Sequence, residues 1–247
     1  MTDGKVVAIV QARMESERLP GKVLADIQGE PMLIRVAKRA ERADSLDSLL
    51  VATSSHVQDD VVEETCIERG IPVFRGDLND VLDRYYRAAL FVQADVIVRL
   101  TGDCPLLGPD LIDDAVHAYL TADPPVDFVA NRFPDQRTYP IGTDVEVFSL
   151  DALRVVWKSA DQPHQREHVT PYLYEEPGRF RTLLLRNDRD LGQMRWAVDE
   201  QSDLEFVRRI YTNLENGFSW LEVLELLDRD PSILALNAAV QQRGLHS

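Results

Sequence analysis

The first half of the sequence alternates short β-branched runs with longer stretches in which apolar residues recur at helical spacing. The runs that predict strands are residues 5–11, 48–53, 71–74 and 95–100. The stretches that predict helices are residues 31–43, 57–70 and 79–93. Strands that alternate with helices of this length form right-handed βαβ units. The alternation therefore predicts an α/β fold with a mostly parallel sheet.

Beyond about residue 122 the pattern changes to a proline-rich segment. Its strand-like pieces, residues 126–131 and 144–149, are not separated by a helical pattern. We interpret residues 123–180 as an inserted β layer that faces the substrate or a partner subunit, within a single domain spanning residues 1–247. The sequence then predicts strands over residues 181–186 and 193–199, followed by helices to near the end of the chain.

Composition excludes several classes of partner. The net charge of −15 argues against a nucleic-acid partner, which would need a basic surface, but leaves room for a nucleotide in a local positive pocket. No apolar run is long enough to cross a bilayer, and the start of the chain has no signal pattern, so we expect a cytoplasmic protein without a membrane partner. Two cysteines, Cys66 and Cys104, are too few for a disulfide framework and predict reduced thiols.

A basic loop, "VQARMESERLPGKVL" at residues 10–24, follows the first predicted strand. Ligands of open α/β sheets bind beyond the carboxyl ends of the strands. The loop has one glycine and matches neither the phosphate-loop nor the dinucleotide pattern, so side chains would have to hold phosphate. Arg13 can donate two parallel hydrogen bonds to phosphate oxygens, and Lys22 can act as a point charge. The alternative interpretation is a solvated basic loop.

Two aspartates stand at comparable positions farther along the chain. Asp103 follows the predicted strand over residues 95–100, and Asp199 ends the one over residues 193–199. Carboxylates beside bound phosphates are natural Mg²⁺ ligands. Alternatively, Asp103 is a turn residue and Asp199 caps a helix. Two acidic strand ends and a basic loop together favour a site for a metal-bound triphosphate. From their strand-end positions, we expect Lys22→Ala and Asp103→Ala to lower turnover far more than stability.

A series of motifs carries a resemblance to a known family. In order they are "IVQARMESERLPGKVL", "ATSSHVQDD", "FRGDLNDVLDRYYRAA", "RLTGDCPLL", "PIGTDVEVFS", "REHVTPYLY" and "AVDEQSDLEFV". Over residues 5–215 the chain resembles the spore-coat polysaccharide biosynthesis branch of the sugar-acid cytidylyltransferases. Relatives of this branch activate 3-deoxy-manno-octulosonate and acylneuraminates.

The resemblance implies a Rossmann-like nucleotidyltransferase fold and a homodimer. It implies that an oxygen of a sugar acid, or of a related surface-glycan precursor, attacks the α-phosphate of CTP and expels pyrophosphate with Mg²⁺ as cofactor. The implied catalytic residues are Arg13, Lys22, Asp103 and Asp199, the last two as Mg²⁺ ligands. The implied nucleotide contacts are Gln11, Ala12, Arg13, Ser16, Arg18, Lys22, Thr53, Arg75, Thr101 and Gly102. Arg18 either contacts phosphate or holds the shape of the loop.

Candidate residues for binding the acceptor, the sugar acid or related precursor that attacks CTP, lie in the second half of the chain. Asp144 and Glu146 are candidates for binding sugar hydroxyls, Arg166 and His168 for binding a carboxylate, and Tyr139 is a further candidate contact. Because Asp144 and Glu146 alternate with valines, they could instead form the polar face of a strand. His164 and His168 are four residues apart, a spacing that can bind zinc on a helix, but no third ligand is evident.

Two other functions fit parts of the pattern. A glycosyltransferase that uses a metal-bound nucleotide sugar would also carry an acidic strand end, but residues 101–105, "TGDCP", contain no Asp-x-Asp. A non-catalytic nucleotide-binding relative would have kept the fold alone. All four implied catalytic residues are present, which favours an enzyme.

Overall fold

A computed structural model describes residues 4–134 and 136–242. Within them the strands are β1 (Val6–Gln11), β2 (Asp26–Ile27), β3 (Glu30–Pro31), β4 (Ser48–Ser54), β5 (Val73–Gly76), β6 (Val96–Thr101), β7 (Phe128–Ala130), β8 (Arg132–Phe133), β9 (Gln136–Arg137), β10 (Glu146–Ser149) and β11 (Thr182–Leu184). The α-helices are α1 (Met32–Ala40), α2 (Asp60–Glu68), α3 (Val81–Phe91), α4 (Pro109–Thr121), α5 (Leu150–Ser159), α6 (Pro163–His168), α7 (Pro171–Glu175), α8 (Gln201–Asn213) and α9 (Trp220–Arg229). Short 3₁₀ helices cover Lys22–Leu24, Val57–Asp59 and Pro231–Leu236.

The β-branched runs of the first half form the parallel part of a seven-stranded sheet. Its strand order is β11-β7-β10-β6-β1-β4-β5. Every neighbouring pair is parallel except the two pairs that involve β10, which runs antiparallel to both β6 and β7. The mostly parallel α/β fold predicted from the alternating pattern is therefore confirmed.

Strand β1 is buried on both faces, as a central parallel strand must be. Because side chains alternate along a strand, Val6, Ala8 and Val10 enter one hydrophobic core while Val7 and Ile9 enter the other. Helices α1, α2, α4, α8 and α9 cover the first core, and α3, α5 and α7 cover the second. This burial fixes the end of β1, so that the basic loop leaves the sheet at its carboxyl edge.

The segment predicted as an inserted β layer contributes mainly to the large sheet. Strands β7 and β10 extend that sheet, and β8 and β9 form a small additional antiparallel pair. Helix α5 follows β10 directly, and the Ser149 side chain caps it by accepting a hydrogen bond from Ala152 N at 3.0 Å. Asp135 within this segment, and residues 1–3 and 243–247 at the ends of the predicted domain, lie outside the described residues.

The strand predicted over residues 193–199 is wrong. The structure has only an isolated bridge between Ile141 and Arg195 there. Trp196 N and Ala197 N both donate to the same carbonyl, Ile141 O, at 2.7 and 3.1 Å, so no ladder can continue. Gly142 allows this close approach, because a Cβ there would lie 2.4 Å from Ala197 N.

The first and last residues of β5 differ from the prediction. The sequence predicts a strand over residues 71–74, whereas the strand begins at Val73 and ends at Gly76. Pro72 O accepts a hydrogen bond from Val51 N at 2.9 Å just before the strand begins. Arg75 consequently lies on the strand and not in the loop after it.

The helical C-terminus is confirmed by α8 and α9, each of which begins with a capping box. Glu200 caps α8 with Asp203 as its reciprocal partner, and Ser219 caps α9 with Glu222. The alternative in which Asp199 caps this helix is therefore wrong, because the N-cap of α8 is the next residue, Glu200. Among the described residues, no helix combines the length and apolar character needed to span a membrane.

Candidate active site

The basic loop after β1 has a defined shape. Its two ends meet where Gly21 N donates to Met14 O at 2.9 Å, and Gly21 takes a positive φ of 73° that favours glycine. Met14 N donates to Asp59 Oδ1 at 2.6 Å, and this buried carboxylate also accepts a hydrogen bond from Ser54 Oγ at the end of β4. The loop is thus anchored to a neighbouring strand end, with Lys22 opening a 3₁₀ turn.

The Lys22 ammonium lies between the two predicted metal-binding carboxylates. Its Nζ is 2.8 Å from Asp103 Oδ2, 2.8 Å from Asp199 Oδ1 and 2.8 Å from the carbonyl oxygen of Val198. Val198 N donates to the backbone oxygen of Asp103 at 2.9 Å, and this bond brings Asp199 beside Asp103 without a strand. Only 9% of Lys22 is exposed, so it is a buried ion, and its three hydrogen bonds, as many as an ammonium can donate, all go to oxygen atoms.

The charges of this cluster stabilise one another. Burial works against the charged form of Lys22, but Asp103 and Asp199 together raise its pKa above the ordinary value. Burial likewise opposes ionisation of the two carboxylates, yet the Lys22 charge and its hydrogen bonds keep the pKa of Asp103 below its usual range. With added hydrogen bonding from Arg195, the pKa of Asp199 falls to about 2. At neutral pH both carboxylates are ionised and Lys22 is protonated.

Arg18 also belongs to this cluster. Its Nη2 is 2.9 Å from Asp199 Oδ2, and its Nη1 is 3.5 Å from Glu200 Oε1. Asp199 Oδ2 accepts a further hydrogen bond from Arg195 Nη2 at 2.5 Å. Arg18 therefore links the basic loop to Asp199. The sequence alone allows two roles for Arg18, a phosphate contact or support of the loop.

A cleft of about 460 Å³ opens beside this cluster. The loop, the carboxyl ends of β1 and β6, the first turn of α3 and the last turn of α6 form its walls. The lining residues are Gln11, Ala12, Arg13, Glu15, Ser16, Glu17, Arg18, Lys22, Val23, Val81, Arg84, Thr101, Gly102, Asp103, Glu167, His168 and Asp199. All of the implied nucleotide contacts except Thr53 and Arg75 are among them.

Thr53 and Arg75 lie outside the cleft lining. Thr53 is fully buried within β4. Arg75 sits on β5, where its Nε donates to Ser54 O at 2.9 Å and its guanidinium pairs with Asp60 and Glu63 at 2.6 and 2.8 Å. These contacts direct the Arg75 side chain to α2, and Arg75 is not one of the residues that line the cleft.

The two acidic candidates for acceptor binding are held by arginines. Glu146 is 1% exposed, and its Oε2 accepts hydrogen bonds from Arg99 Nη1 at 2.6 Å and Thr170 Oγ1 at 3.1 Å. Asp144 precedes β10 and accepts two hydrogen bonds from the Arg137 guanidinium. The alternative in which both form the polar face of a strand is wrong, because Asp144 does not lie on the strand and Glu146, on β10, is buried.

These carboxylates form an acceptor cluster with three arginines. Arg99, Arg132 and Arg137 outnumber Asp144 and Glu146, which leaves one positive charge in excess. Arg132 Nε is 3.3 Å from Asp144 Oδ2 but makes no hydrogen bond within the described residues, and neither does Arg99 Nε. Arg99 Nη2 donates to the Gln11 side chain, a cleft residue, at 3.1 Å, so the cluster adjoins the cleft.

Of the remaining acceptor candidates, His168 lines the cleft. Burial lowers its pKa; Glu167 acts in the opposite direction, and the charges of Arg99 and Arg132 lower the pKa further. A neutral imidazole at neutral pH suits a hydrogen bond to a hydroxyl better than an ion pair with a carboxylate.

The other two candidates face elsewhere. The Arg166 guanidinium binds Asp80 of the loop before α3 and the carbonyl oxygen of Trp157 at 2.9 Å. The Tyr139 ring packs on Trp220, with 5.9 Å between ring centroids. Neither residue lines the cleft.

Arg84 is a cleft residue that the sequence interpretation missed. It is 1% exposed, donates to Asp77 O at 2.7 Å, makes no ion pair within residues 4–134 and 136–242, and has an unpaired Nε. Burial and the nearby Arg13 charge lower its pKa. Its position on the buried face of α3, between Val81 and Ala88, was the available signal, because an arginine at an apolar position needs an anion.

The zinc alternative finds no support in the site geometry. His164 Nε2 lies 2.9 Å from Glu175 Oε2, so this ring is engaged by a neighbouring helix. Within the described part of the chain, no group of three or more His, Cys, Asp or Glu side chains is arranged to hold a metal ion. Asp103 and Asp199 provide two carboxylates. Mg²⁺ commonly takes one or two carboxylates when phosphates supply its other ligands.

Comparisons with known proteins agree with the fold and the motifs. A family model described as "Cytidylyltransferase" matches residues 7–225. The chain is 32% identical to the spore coat polysaccharide biosynthesis protein SpsF of Bacillus subtilis (strain 168), over 92% of this chain and 95% of that protein.

Solved structures show the same fold. A cytidylyltransferase from Leptospira borgpetersenii serovar Hardjo-bovis (strain JB197) superposes with a TM-score of 0.89 at 34% identity, over 94% of this chain and 97% of that one. CMP:2-keto-3-deoxy-manno-octonic acid synthetase complexed with CTP superposes with a TM-score of 0.65 at 23% identity, over 85% of this chain and 99% of that one. At that identity the second likeness concerns the fold alone.

Proposed function

This chain belongs to the cytidylyltransferase family, and on that premise we propose that it transfers a cytidylyl group from CTP to a sugar acid or a related surface-glycan precursor, with Mg²⁺ as cofactor. An acceptor oxygen forms a bond to the α-phosphorus, the bond from that phosphorus to the bridging oxygen breaks, and pyrophosphate leaves. The observation that carries the proposal is the Lys22 ammonium held between Asp103 and Asp199 at one end of a cleft lined with arginines.

The residues around Lys22 fit a magnesium ion. Two carboxylate oxygens and one carbonyl oxygen converge on a single cationic atom, and such hard oxygen donors are the ligands that Mg²⁺ takes in proteins. Asp103 and Asp199 would hold the ion. When bound, Mg²⁺ polarises a phosphoryl oxygen and makes a hydroxyl easier to deprotonate.

The basic side chains of the cleft bind the triphosphate. Arg13 extends from the loop to within 3.6 Å of Glu167 Oε1 across the cleft, in a half-exposed pair that phosphate can replace. Arg84 offers a buried guanidinium that makes no ion pair with any residue that the structure describes. Lys22 exchanges its two carboxylates for phosphate oxygens. Positive groups fixed in this way offset the negative charge that grows on the leaving pyrophosphate, usually the largest catalytic contribution.

The acceptor side of the proposal rests on charge. The acceptor cluster has one positive charge in excess and adjoins the cleft through the hydrogen bond from Arg99 to Gln11, which suits an anionic acceptor such as a sugar acid. Glu146 and the neutral His168 ring supply hydrogen-bonding groups for sugar hydroxyls. The name of the Bacillus relative, spore coat polysaccharide biosynthesis, supports a surface-glycan precursor, and the CTP complex of the octonic acid synthetase supports CTP as donor.

A pyrophosphate-release assay tests the proposal. Each of the four common nucleoside triphosphates is combined with a panel of sugar acids and with the matched neutral sugars in which the carboxyl group is reduced. We expect release with CTP, a sugar acid and Mg²⁺ together, and background release when any one is omitted or when EDTA is added. Release from none of the CTP pairings, in protein shown by circular dichroism to be folded, contradicts the proposal.

We extend the proposal to a homodimer, which the family resemblance supports. Multi-angle light scattering after size exclusion should give twice the chain mass of 28.0 kDa. A mass equal to that of one chain across the concentration range of the assay would refute the dimer while leaving the proposed reaction untouched.

A further inference from the structure

Asp199 is supported by a buried network that the proposed reaction does not itself use. At its centre is Asp203, which is fully buried at the start of α8. Its Oδ1 accepts hydrogen bonds from Arg195 Nε at 2.9 Å and Asn237 Nδ2 at 3.0 Å. Its Oδ2 accepts hydrogen bonds from Arg195 Nη2 at 3.2 Å, Asp199 N at 2.9 Å and Glu200 N at 3.0 Å. Five donors therefore satisfy one buried carboxylate.

This network fixes Asp199 through both its backbone and its side chain. The Asp203 carboxylate accepts a hydrogen bond from the Asp199 backbone N–H. Arg195, which also binds Asp203, donates a hydrogen bond to Asp199 Oδ2 at 2.5 Å. The other oxygen, Oδ1, is the one that faces Lys22 Nζ. Arg195 thus engages one carboxylate oxygen and leaves the second directed to the cation position.

The network is closed by the C-terminal segment. Asn237 follows the 3₁₀ helix Pro231–Leu236 and is 5% exposed, and its amide donates both to Asp203 Oδ1 and to the carbonyl oxygen of Arg195 at 3.0 Å. Gln242 Oε1 accepts a hydrogen bond from Arg195 Nη1. Both residues lie beyond residue 225, where the match to the family model ends.

We propose that Arg195, Asp203 and Asn237 are positioning residues that hold Asp199 ready for the metal ion, so that the C-terminal segment is a working part of the metal site. The inference rests on the proposed function, because it assumes that Asp199 binds Mg²⁺ when CTP is present. Partners behind a metal ligand set its orientation, and their loss commonly weakens metal binding by about 10- to 100-fold.

The test uses Mn²⁺ as a paramagnetic probe and the full chain without acceptor. Water-proton relaxation enhancement gives the affinity for Mn²⁺·CTP, and calorimetry in EDTA gives the affinity for CTP alone. We expect Asn237→Ala to weaken Mn²⁺·CTP binding by about 10-fold or more while metal-free CTP binding stays within about twofold of wild type. Asn213→Ala is the matched control, because that exposed amide donates to Arg209 O of its own helix at 2.8 Å and to no other atom of the described residues.

The outcomes separate the inference from the proposed function. Wild-type affinity for Mn²⁺·CTP in folded Asn237→Ala overturns the positioning role. An equal loss of Mn²⁺·CTP and metal-free CTP affinity also overturns it, since a general structural defect moves both. If circular dichroism shows that Asn237→Ala does not fold, the exposed Gln242→Ala decides, with a several-fold selective loss expected and unchanged affinity contradicting the role. Wild-type protein that binds CTP but shows no enhancement with Mn²⁺ overturns the metal-dependent reaction itself.

Discussion

Replacing Lys22 with alanine should lower kcat by about two to three orders of magnitude, the usual consequence of removing one preorganised group that offsets transition-state charge. Lys22 is the cationic group of the cleft that contacts both Asp103 and Asp199, each at 2.8 Å. The measurement is pyrophosphate release at saturating CTP and Mg²⁺ with the acceptor that the substrate panel identifies. Lys38→Ala, which removes an exposed lysine paired with Glu30, is the matched control and should keep wild-type kcat.

The same variant should also lose stability in the absence of metal, which differs from the expectation drawn from the sequence. A lysine in a solvated loop would contribute little to the free energy of unfolding. Lys22, however, is buried between two carboxylates, and its removal would leave these two negative charges facing each other. Breaking a fully buried ion pair costs about 3–5 kcal/mol; because both carboxylates are partly exposed, we expect roughly 2 kcal/mol. Thermal unfolding should show a lower Tm that Mg²⁺ partly restores. A kcat within about tenfold of wild type would contradict the catalytic role of Lys22.

The second large effect is expected for Asp103→Asn, which should lower kcat by about three orders of magnitude. The amide keeps the volume of the side chain, and its oxygen can still accept a hydrogen bond from Lys22, but it removes one of the two charges that would hold Mg²⁺. The loss should therefore be concentrated in activity and in Mg²⁺ dependence, with a smaller change in Tm than for Lys22→Ala.

The measurement is kcat as a function of Mg²⁺ concentration. Asp228→Asn, which changes an exposed carboxylate on α9, is the matched control and should follow the wild-type curve. An Asp103→Asn enzyme with unchanged kcat and unchanged half-saturating Mg²⁺ would remove Asp103 from the metal site.

The sequence predicts the architecture and part of the site for identifiable physical reasons. The alternation of buried β-branched runs with amphipathic helices is enough to predict the parallel strands, because each element carries its own periodicity. Arg13 and Asp103 each stand two residues after a buried strand, so their position at the carboxyl edge of the sheet follows from local pattern alone, and Lys22 belongs to the loop that begins there.

Asp199 shows where local pattern fails. Asp199 does lie beside Lys22. It does not end a strand, however, and the hydrogen bond from Val198 N to Asp103 O is what brings it there. The network behind it joins Arg195, Asp203 and Asn237, which are 8 and then 34 residues apart and lie in three different segments of the chain. Such contacts are decided by tertiary packing.

Arg75 and Arg84 differ from the sequence interpretation for different reasons. The family resemblance implied that Arg75 contacts the nucleotide, whereas its guanidinium pairs with Asp60 and Glu63 of α2, and such contacts are decided by tertiary packing. Arg84 does have a local signal in the sequence, because it is an arginine on the apolar face of an amphipathic helix.

The reversed direction of β10 has a consequence for how acceptor preference can change in this family. Because β10 runs against β6, with Glu146 paired to Arg99, the start of β10 reaches the same edge of the sheet as the ends of the parallel strands. The loop proposed to bind the triphosphate, residues 10–24, and four of the five members of the acceptor cluster, which lie within residues 132–146, therefore come from separate stretches of chain. Substitutions or length changes in the second stretch can alter the acceptor cluster without disturbing the loop. On the proposed function, the same triphosphate loop can in this way serve enzymes that use different acceptors.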